Sequence, residues 1–297
     1  MIASIVASIP SPSSKGFSIL GLDLRAYGLM IALGVIAAVW LFGKQLEAHR
    51  LGTRDDAGSI AVYAVIAGVI GARLYHVVTD WSRFEDDLGS IPLIWEGGLG
   101  IPGGLLAGIT VGAWQAKRRG IRPAVAMTFG MPSIALAQAI GRWGNWFNQE
   151  LFGKPTDLPW GLEIDQQYLP IGEAPGTTFH PTFLYESLWN FALCAVLLAV
   201  QQRFQLAAGR LLGVYLIGYG VGRYWIEGLR IDPTHEIAGL RLNQWVSLVA
   251  IVAGVVLLLV TRGRKWDEQP RDGVPDAEQH DLTSVEYSDP DIAPDAL

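Results

Sequence analysis

The chain of 297 residues contains a single cysteine, Cys194. An internal disulfide is therefore excluded, and so is a zinc or iron–sulfur site built on cysteines. Cys194 lies in the apolar run "LWNFALCAVLLAV", where a thiol is usually inert. Charge is scarce too: 17% of the residues are charged, against about a quarter in a soluble domain. With 51% hydrophobic residues and a mean hydropathy of +0.31, the chain is too apolar for that class. It lacks the basic face that would mark a nucleic-acid partner. Its start, "MIASIVASIPSPSSKGF", has no basic opening and only a short apolar patch, so it does not read as a cleaved signal peptide. The net charge of −6 says little about the apolar part, because much of the acid follows Trp266.

Long apolar runs fill the rest. A membrane-crossing helix needs about 20 mostly apolar residues. Seven segments qualify: 27–46, 57–79, 97–116, 124–147, 182–202, 211–230 and 241–262. Basic residues follow alternate segments: Lys44, Arg50 and Arg54, then Lys117, Arg118, Arg119 and Arg122, then Arg203 and Arg210, then Arg262, Arg264 and Lys265. The other connections hold Arg83 and Lys154. The positive-inside rule then places the N-terminus outside and the C-terminus in the cytoplasm. The expected fold is an all-α integral membrane protein of about seven transmembrane helices. Residues 1–20 form an outer segment, and 21–265 a transmembrane domain with an outer head loop, 148–181. The tail 266–297, rich in Asp, Glu, Pro and Ser, is expected to be disordered and cytoplasmic.

In this orientation the unusual polar residues all fall toward the outer face. They are Tyr27, Arg73 and His76, Glu96, the run Gln138, Arg142, Asn145 and Gln149, then His180 and Glu186, and finally Tyr219, Arg223, Glu227 and Arg230. Gln138, Arg142, Asn145 and Gln149 have the spacing of one helix face, as do Tyr219, Arg223, Glu227 and Arg230. Charge inside a membrane is costly and faces a cavity or another charge. Stripes on several helices at one depth predict a shared cavity in the outer leaflet. Arginine forks match phosphate oxygens, and Asn145 and Asn148 suit hydroxyls or carbonyls. An anionic phospholipid headgroup is the ligand these groups favour. Arg223 and Glu227 also suit an ion pair that only fastens helices.

These residues resemble a known family, the bacterial prolipoprotein diacylglyceryl transferases. "GRWGNWFNQELFG" (141–153) is similar to the family signature, "HPTFLYES" (180–187) and "YGVGRYWIEGLR" (219–230) to two further segments, and "LRAYGLM" (24–30) and "GARLYH" (71–76) to its first two helices. The resemblance spans about residues 20–265. It implies an enzyme of the bacterial cytoplasmic (inner) membrane that needs no metal and no cofactor. The enzyme would take phosphatidylglycerol from the bilayer and transfer its diacylglyceryl group to the lipobox cysteine thiol in a prolipoprotein signal peptide. A thioether would form and glycerol 1-phosphate would leave. By the same resemblance Arg142 and Arg223 face the leaving phosphate, and Glu186 and Glu227 orient them. Tyr27, Arg73, Gly103, Gly104, Asn145, Asn148, Glu150, Gly153 and Tyr219 surround the headgroup.

One departure stands out. Family members often carry His-Gly-Gly near the start of the third helix, the histidine being treated as a general base. Here Pro102 precedes Gly103 and Gly104. His180, His76 and Glu186 are the remaining proton acceptors, and nearby arginines lower a thiol's pKa by themselves. Two competing readings follow: a transporter or flippase for an anionic lipid or solute, and an inactive relative. A transporter needs polar groups on the inner half as well, and the sequence has little there beyond flanking charge.

Overall fold

The computed structural model describes residues 8–264, apart from 20–21, 95–96 and 205–206. Glu96 and the acidic tail lie outside the described residues. The chain opens with a hairpin, β1 (Gly16–Ile19) and β2 (Leu22–Arg25), and continues into α1 (Ala26–Ala48) and α2 (Arg54–Thr79). Then come α3 (Ile101–Arg118), α4 (Pro123–Gly141) and the short α5 (Trp143–Asn148). A head with the two-residue strands β3 (Leu162–Glu163) and β4 (Thr178–Phe179) leads to α6 (Thr182–Arg203) and α7 (Arg210–Glu227). A last hairpin, β5 (Glu236–Ile237) and β6 (Leu240–Arg241), starts α8 (Leu242–Val260).

The long helices cover the seven apolar segments. Among the described residues, five stretches are long and apolar enough to cross a membrane: α1, α2, α4 with α5, α6 and α8. Helices α3 and α7 have 18 residues each; α3 ends in Lys117 and Arg118, and α7 carries Arg210, Arg223 and Glu227. The apolar surface is turned outward. Leu105 and Leu106 on α3 and Val249, Val252 and Val256 on α8 are all more than half exposed. A surface of that kind is stable only against lipid, which makes this a membrane protein.

Helix ends follow local chemistry. Thr53 and Asp56 form a reciprocal capping box that starts α2. Pro102 occupies the first turn of α3, where a missing N–H costs nothing. Helix α4 is the centre and packs against α1, α6 and α7. Around it one apolar cluster joins Phe42, Leu46, Ile60, Val125 and Phe129, and a second joins Met131, Ala135, Leu193, Cys194, Leu197 and Leu211. Helices α2 and α3 touch backbone to backbone: Gly68 and Gly71 face Gly104 and Gly103. Gly103 and Gly104 are thus contact points between helices.

The sequence reading treated 124–147 as one helix with a single polar stripe. The structure corrects this. Helix α4 stops at Gly141, Arg142 is the joint, and α5 ends at Gln149 in the left-handed region, φ 53°. Gln138 accepts a hydrogen bond from Tyr215 Oη (3.1 Å), whereas Gln149 pairs with Asp165 in the head. The polar residues of this stretch therefore diverge to different partners.

The glycine contact yields a stability prediction. A β-carbon at Gly103 would meet the Gly71 carbonyl and Tyr75, whereas Gly58 has open space around it. Gly103→Ala should lower the melting temperature in detergent, at a cost of about 1–3 kcal/mol from overpacking. Gly58→Ala should leave it unchanged or raise it slightly.

Candidate functional site

The site begins with one carboxylate. Glu186 is in the first turns of α6, buried to 5% exposure. Its Oε2 meets Arg142 Nε at 2.5 Å, and its Oε1 accepts from Arg223 Nη1 at 2.9 Å. Two guanidiniums, one from the α4–α5 joint and one from α7, are so brought to opposite oxygens of one group. Arg223 also reaches back one turn to Glu227, with Nη2 2.7 Å from Oε2.

Glu227 is fully buried. Its Oε1 accepts from Arg241 Nε (2.9 Å) and from Asn243 Nδ2 (3.2 Å). Its Oε2 faces Arg223 and, at 3.7 Å, Arg230 Nη1; neither contact is aligned as a hydrogen bond. Asp232 closes the set, bonded to Arg230 Nε (2.6 Å) and Arg241 Nη2 (3.1 Å). Among the described residues, four guanidiniums and three carboxylates thus form one connected network. Leaving such a group unpaired inside the protein costs several kcal/mol, which is why each carboxylate has at least two cations.

Exposure grades the cations. The Arg142 side chain is 23% exposed, Arg223 13%, Arg241 11% and Arg230 6%. Arg142 holds Glu186 through Nε, and its Nη1 lies 3.5 Å from Asn145 Oδ1, at the limit of a hydrogen bond. Its outer edge is the one with donors to spare.

The signature supports that edge from below. Glu150 Oε1 accepts from Asn145 Nδ2 (2.9 Å) and Asn148 Nδ2 (3.1 Å), tying the end of α5 into a loop. Gln149 and Leu151 both have positive φ, which costs a non-glycine residue energy. Partners hold them there. Gln149 Oε1 accepts from the Asp165 N–H, and the Leu151 carbonyl accepts from Thr182 Oγ1. Gly153 donates its N–H to the His180 carbonyl, and a β-carbon there would lie 2.8 Å from His180 Cβ. Glycine lets the head strand press onto the start of α6. Residues 8–15 run along the head: Ile9 bridges to Leu162, Trp146 donates to the Pro10 carbonyl, and Lys15 sits over the Tyr168 ring.

Other expected residues are placed elsewhere. Arg73 is buried and donates to the carbonyls of Ser90, Ile91, Gly97 and Gly98, clamping the loop before α3. It does not join the arginine–carboxylate network. His76 abuts Gly98 and the Phe84 ring in the same loop. His180 Nδ1 is 3.2 Å from Tyr185 Oη, which also receives Trp160 Nε1–H. The Tyr27 ring packs on Gly144, and Tyr219 stacks on Tyr215. Sequence reasoning missed Arg241, Asp232 and Asn243. One signal was available: Arg241 is a basic residue opening an apolar span on the side otherwise poor in basic residues.

Asp232 lies outside the helices, and its ionisation is clear. Burial raises its pKa, but the bond from Arg230 and the charges of Arg230 and Arg241 outweigh burial, so the net shift is downward. Its share of stability is complete above the ordinary carboxylate range, about 3.9, and is lost as pH falls through the lower folded value. Glu186→Ala would leave Arg142 and Arg223 without the group between them. Its expected cost is about 3–5 kcal/mol, read as a fall in melting temperature in detergent; Glu186→Asp should recover part of it.

Comparison with known proteins identifies the architecture. The model of the family described as prolipoprotein diacylglyceryl transferase matches residues 15–260. The chain is 49% identical over 265 residues to the phosphatidylglycerol–prolipoprotein diacylglyceryl transferase of Frankia alni, covering 87% of this chain and 68% of the relative. It is 46% identical over 264 residues to transferase 2 of the same description from Streptomyces coelicolor, with 87% and 82% covered. The corresponding protein of Cutibacterium acnes is 45% identical over 267 residues, with 88% and 90% covered. The match includes every member of the arginine–carboxylate network, and the chain belongs to the prolipoprotein diacylglyceryl transferase family.

Proposed function

We propose that this chain transfers the diacylglyceryl group of phosphatidylglycerol to the lipobox cysteine thiol of prolipoproteins, from the outer leaflet of the bacterial cytoplasmic membrane. The observation that carries the reading is the Glu186 carboxylate held between Arg142 and Arg223, with Arg142 the most exposed guanidinium of its network. A thiolate attacks the lipid's glycerol carbon, the carbon–oxygen bond to phosphate breaks, and the electron pair leaves with the phosphate. One negative charge on sulfur and one on the phosphodiester become two on the departing glycerol 1-phosphate. Fixed guanidiniums aimed at that phosphate stabilise the charge as it forms. Glu186 and Glu227 hold the guanidiniums in place beforehand, so little reorganisation is needed during reaction.

Asn145, Asn148 and Glu150 form the polar edge beside Arg142, suited to the hydroxyls of the headgroup. Tyr27 packs on Gly144, beside the signature, and Tyr219 stands one turn before Arg223 on α7, stacked on Tyr215. Gly153 lets the head close on His180. With Pro102 in the first turn of α3, the thiol proton needs another acceptor. His180 is that group: when its Nδ1–H is donated to Tyr185, Nε2 carries the free lone pair. At the opposite ends of the helices the ion pairs Arg54–Glu47 and Arg119–Asp55 each have one strongly exposed partner, and Arg119 also reaches the buried Asp56. Among the described residues the network of four arginines and three carboxylates lies at one end, and the opposite end holds only smaller sets such as Arg119 with Asp55 and Asp56; that asymmetry suits an enzyme working from one leaflet better than a transporter.

Transfer from labelled phosphatidylglycerol to a synthetic lipobox peptide tests the reading. Wild type should turn over, and Arg142→Ala should lose about 10²–10³-fold; an inactive but folded wild type would sink it. His180→Gln should lose about 10²-fold at neutral pH and recover as pH rises, because alkali supplies thiolate without a base. Orientation is tested separately. Ile171 is fully exposed in the head, and Cys194 is buried. Cysteine placed at Ile171 should react in intact cells with a maleimide that cannot cross the membrane.

A further inference from the structure

We infer that Arg241, from the hairpin before α8, is a positioning residue of the transfer reaction and acts on Arg223 through Glu227. The inference rests on the proposed role of Arg223 at the leaving phosphate.

Arg241 uses all three of its nitrogens on three different acceptors. Nε donates to Glu227 Oε1 at 2.9 Å, Nη1 to the Arg230 carbonyl at 3.1 Å, and Nη2 to Asp232 Oδ2 at 3.1 Å. It is 9% exposed, and its backbone N–H is held by Gln244 Oε1 at 3.0 Å. The side chain is therefore fixed at both ends, and its direct partners include neither Glu186 nor Arg142.

The two oxygens of Glu227 are unequal. Oε1 is hydrogen-bonded to Arg241 and Asn243, whereas Oε2 has ion-pair contacts without hydrogen-bond alignment. Glu227 is anchored through Oε1 and offers Oε2 to Arg223. During the reaction Arg223 must turn part of its charge to the leaving phosphate. A buried carboxylate with no other strong partner would compete with the phosphate for it. Arg241 neutralises Glu227 from the far side, so Glu227 aims Arg223 without retaining it. A lysine cannot replace this, because one ammonium cannot match three divergent acceptors.

The experiment compares wild type, Arg241→Lys and Arg241→Gln as full-length protein in phosphatidylglycerol-containing nanodiscs. Turnover is measured against lipid and lipobox-peptide concentration, and melting temperature is read on the same samples. Both variants should lose about ten- to a hundred-fold in kcat. KM should change less than about three-fold, and Arg241→Lys, which keeps the charge but not all three bonds, should stay folded and melt between Arg241→Gln and wild type. Wild-type kcat in Arg241→Lys would overturn the inference, as would a raised KM with kcat unchanged. A second measurement does not need turnover. Arg223→Gln, Arg241→Gln and the double variant form a thermal cycle, and sharing of Glu227 makes the double variant lose less or more than the sum. Strict additivity overturns the link. A wild type without transfer would refute the proposed function instead, and the cycle would still decide whether Arg241 and Arg223 are coupled.

Discussion

Glu186 is a carboxylate taken out of water with a guanidinium at each oxygen, and one end of the bundle is arranged around that fact. Arg142 comes from the joint between α4 and α5, Arg223 from α7, and Glu186 itself from α6. Three segments far apart in the chain must meet within hydrogen-bond distance, or a charge is stranded in a medium that cannot solvate it. Arg142 meets Glu186 from the joint between α4 and α5, and the signature loop that follows is tied to the head through Gln149 and Asp165. The same requirement explains why so many small residues lie between helices. Gly144 admits the Tyr27 ring, and Gly222 leaves room for Trp189, whose indole donates to the Gly218 carbonyl.

A second layer lies behind the first. Glu227, Arg230, Asp232 and Arg241 are bonded chiefly to one another, and among the described residues Arg223 is the guanidinium ion-paired to both Glu227 and Glu186. The division makes physical sense. Guanidiniums that must meet a phosphate cannot spend every donor on the protein, whereas those that hold them still should. The gradient from partly exposed Arg142 to buried Arg230 follows the same order. The head belongs to this support: it presses on the start of α6 through Gly153 and His180, and on α5 through Gln149 and Asp165.

Much of the bundle was legible from composition. A bilayer sorts residues along one dimension, depth, and depth can be read from runs of apolar residues and the charges that end them. The seven apolar segments therefore coincide with long helices, and the polar residues gather at one end. Arg73 shows where that reading stopped. Its sequence position suggested the site, but its direction on α2 aims it at the carbonyls of the loop before α3. The single stripe read on residues 138–149 failed for a related reason. Helical spacing assumes a continuous helix, and the chain breaks at Arg142.

The sequence by itself determined that this is a helical membrane protein, where its apolar segments run, and which signature residues crowd one end. The family resemblance was also written there, in motifs whose mixed polarity is improbable inside lipid. Only the tertiary structure decided which charge meets which. Pairing depends on how the helices rotate and how two short hairpins and the head fold at their ends, and neither leaves a periodic trace in sequence. Arg241 is the clearest case: it reads as an ordinary flanking arginine until the β5–β6 hairpin folds it back onto Glu227.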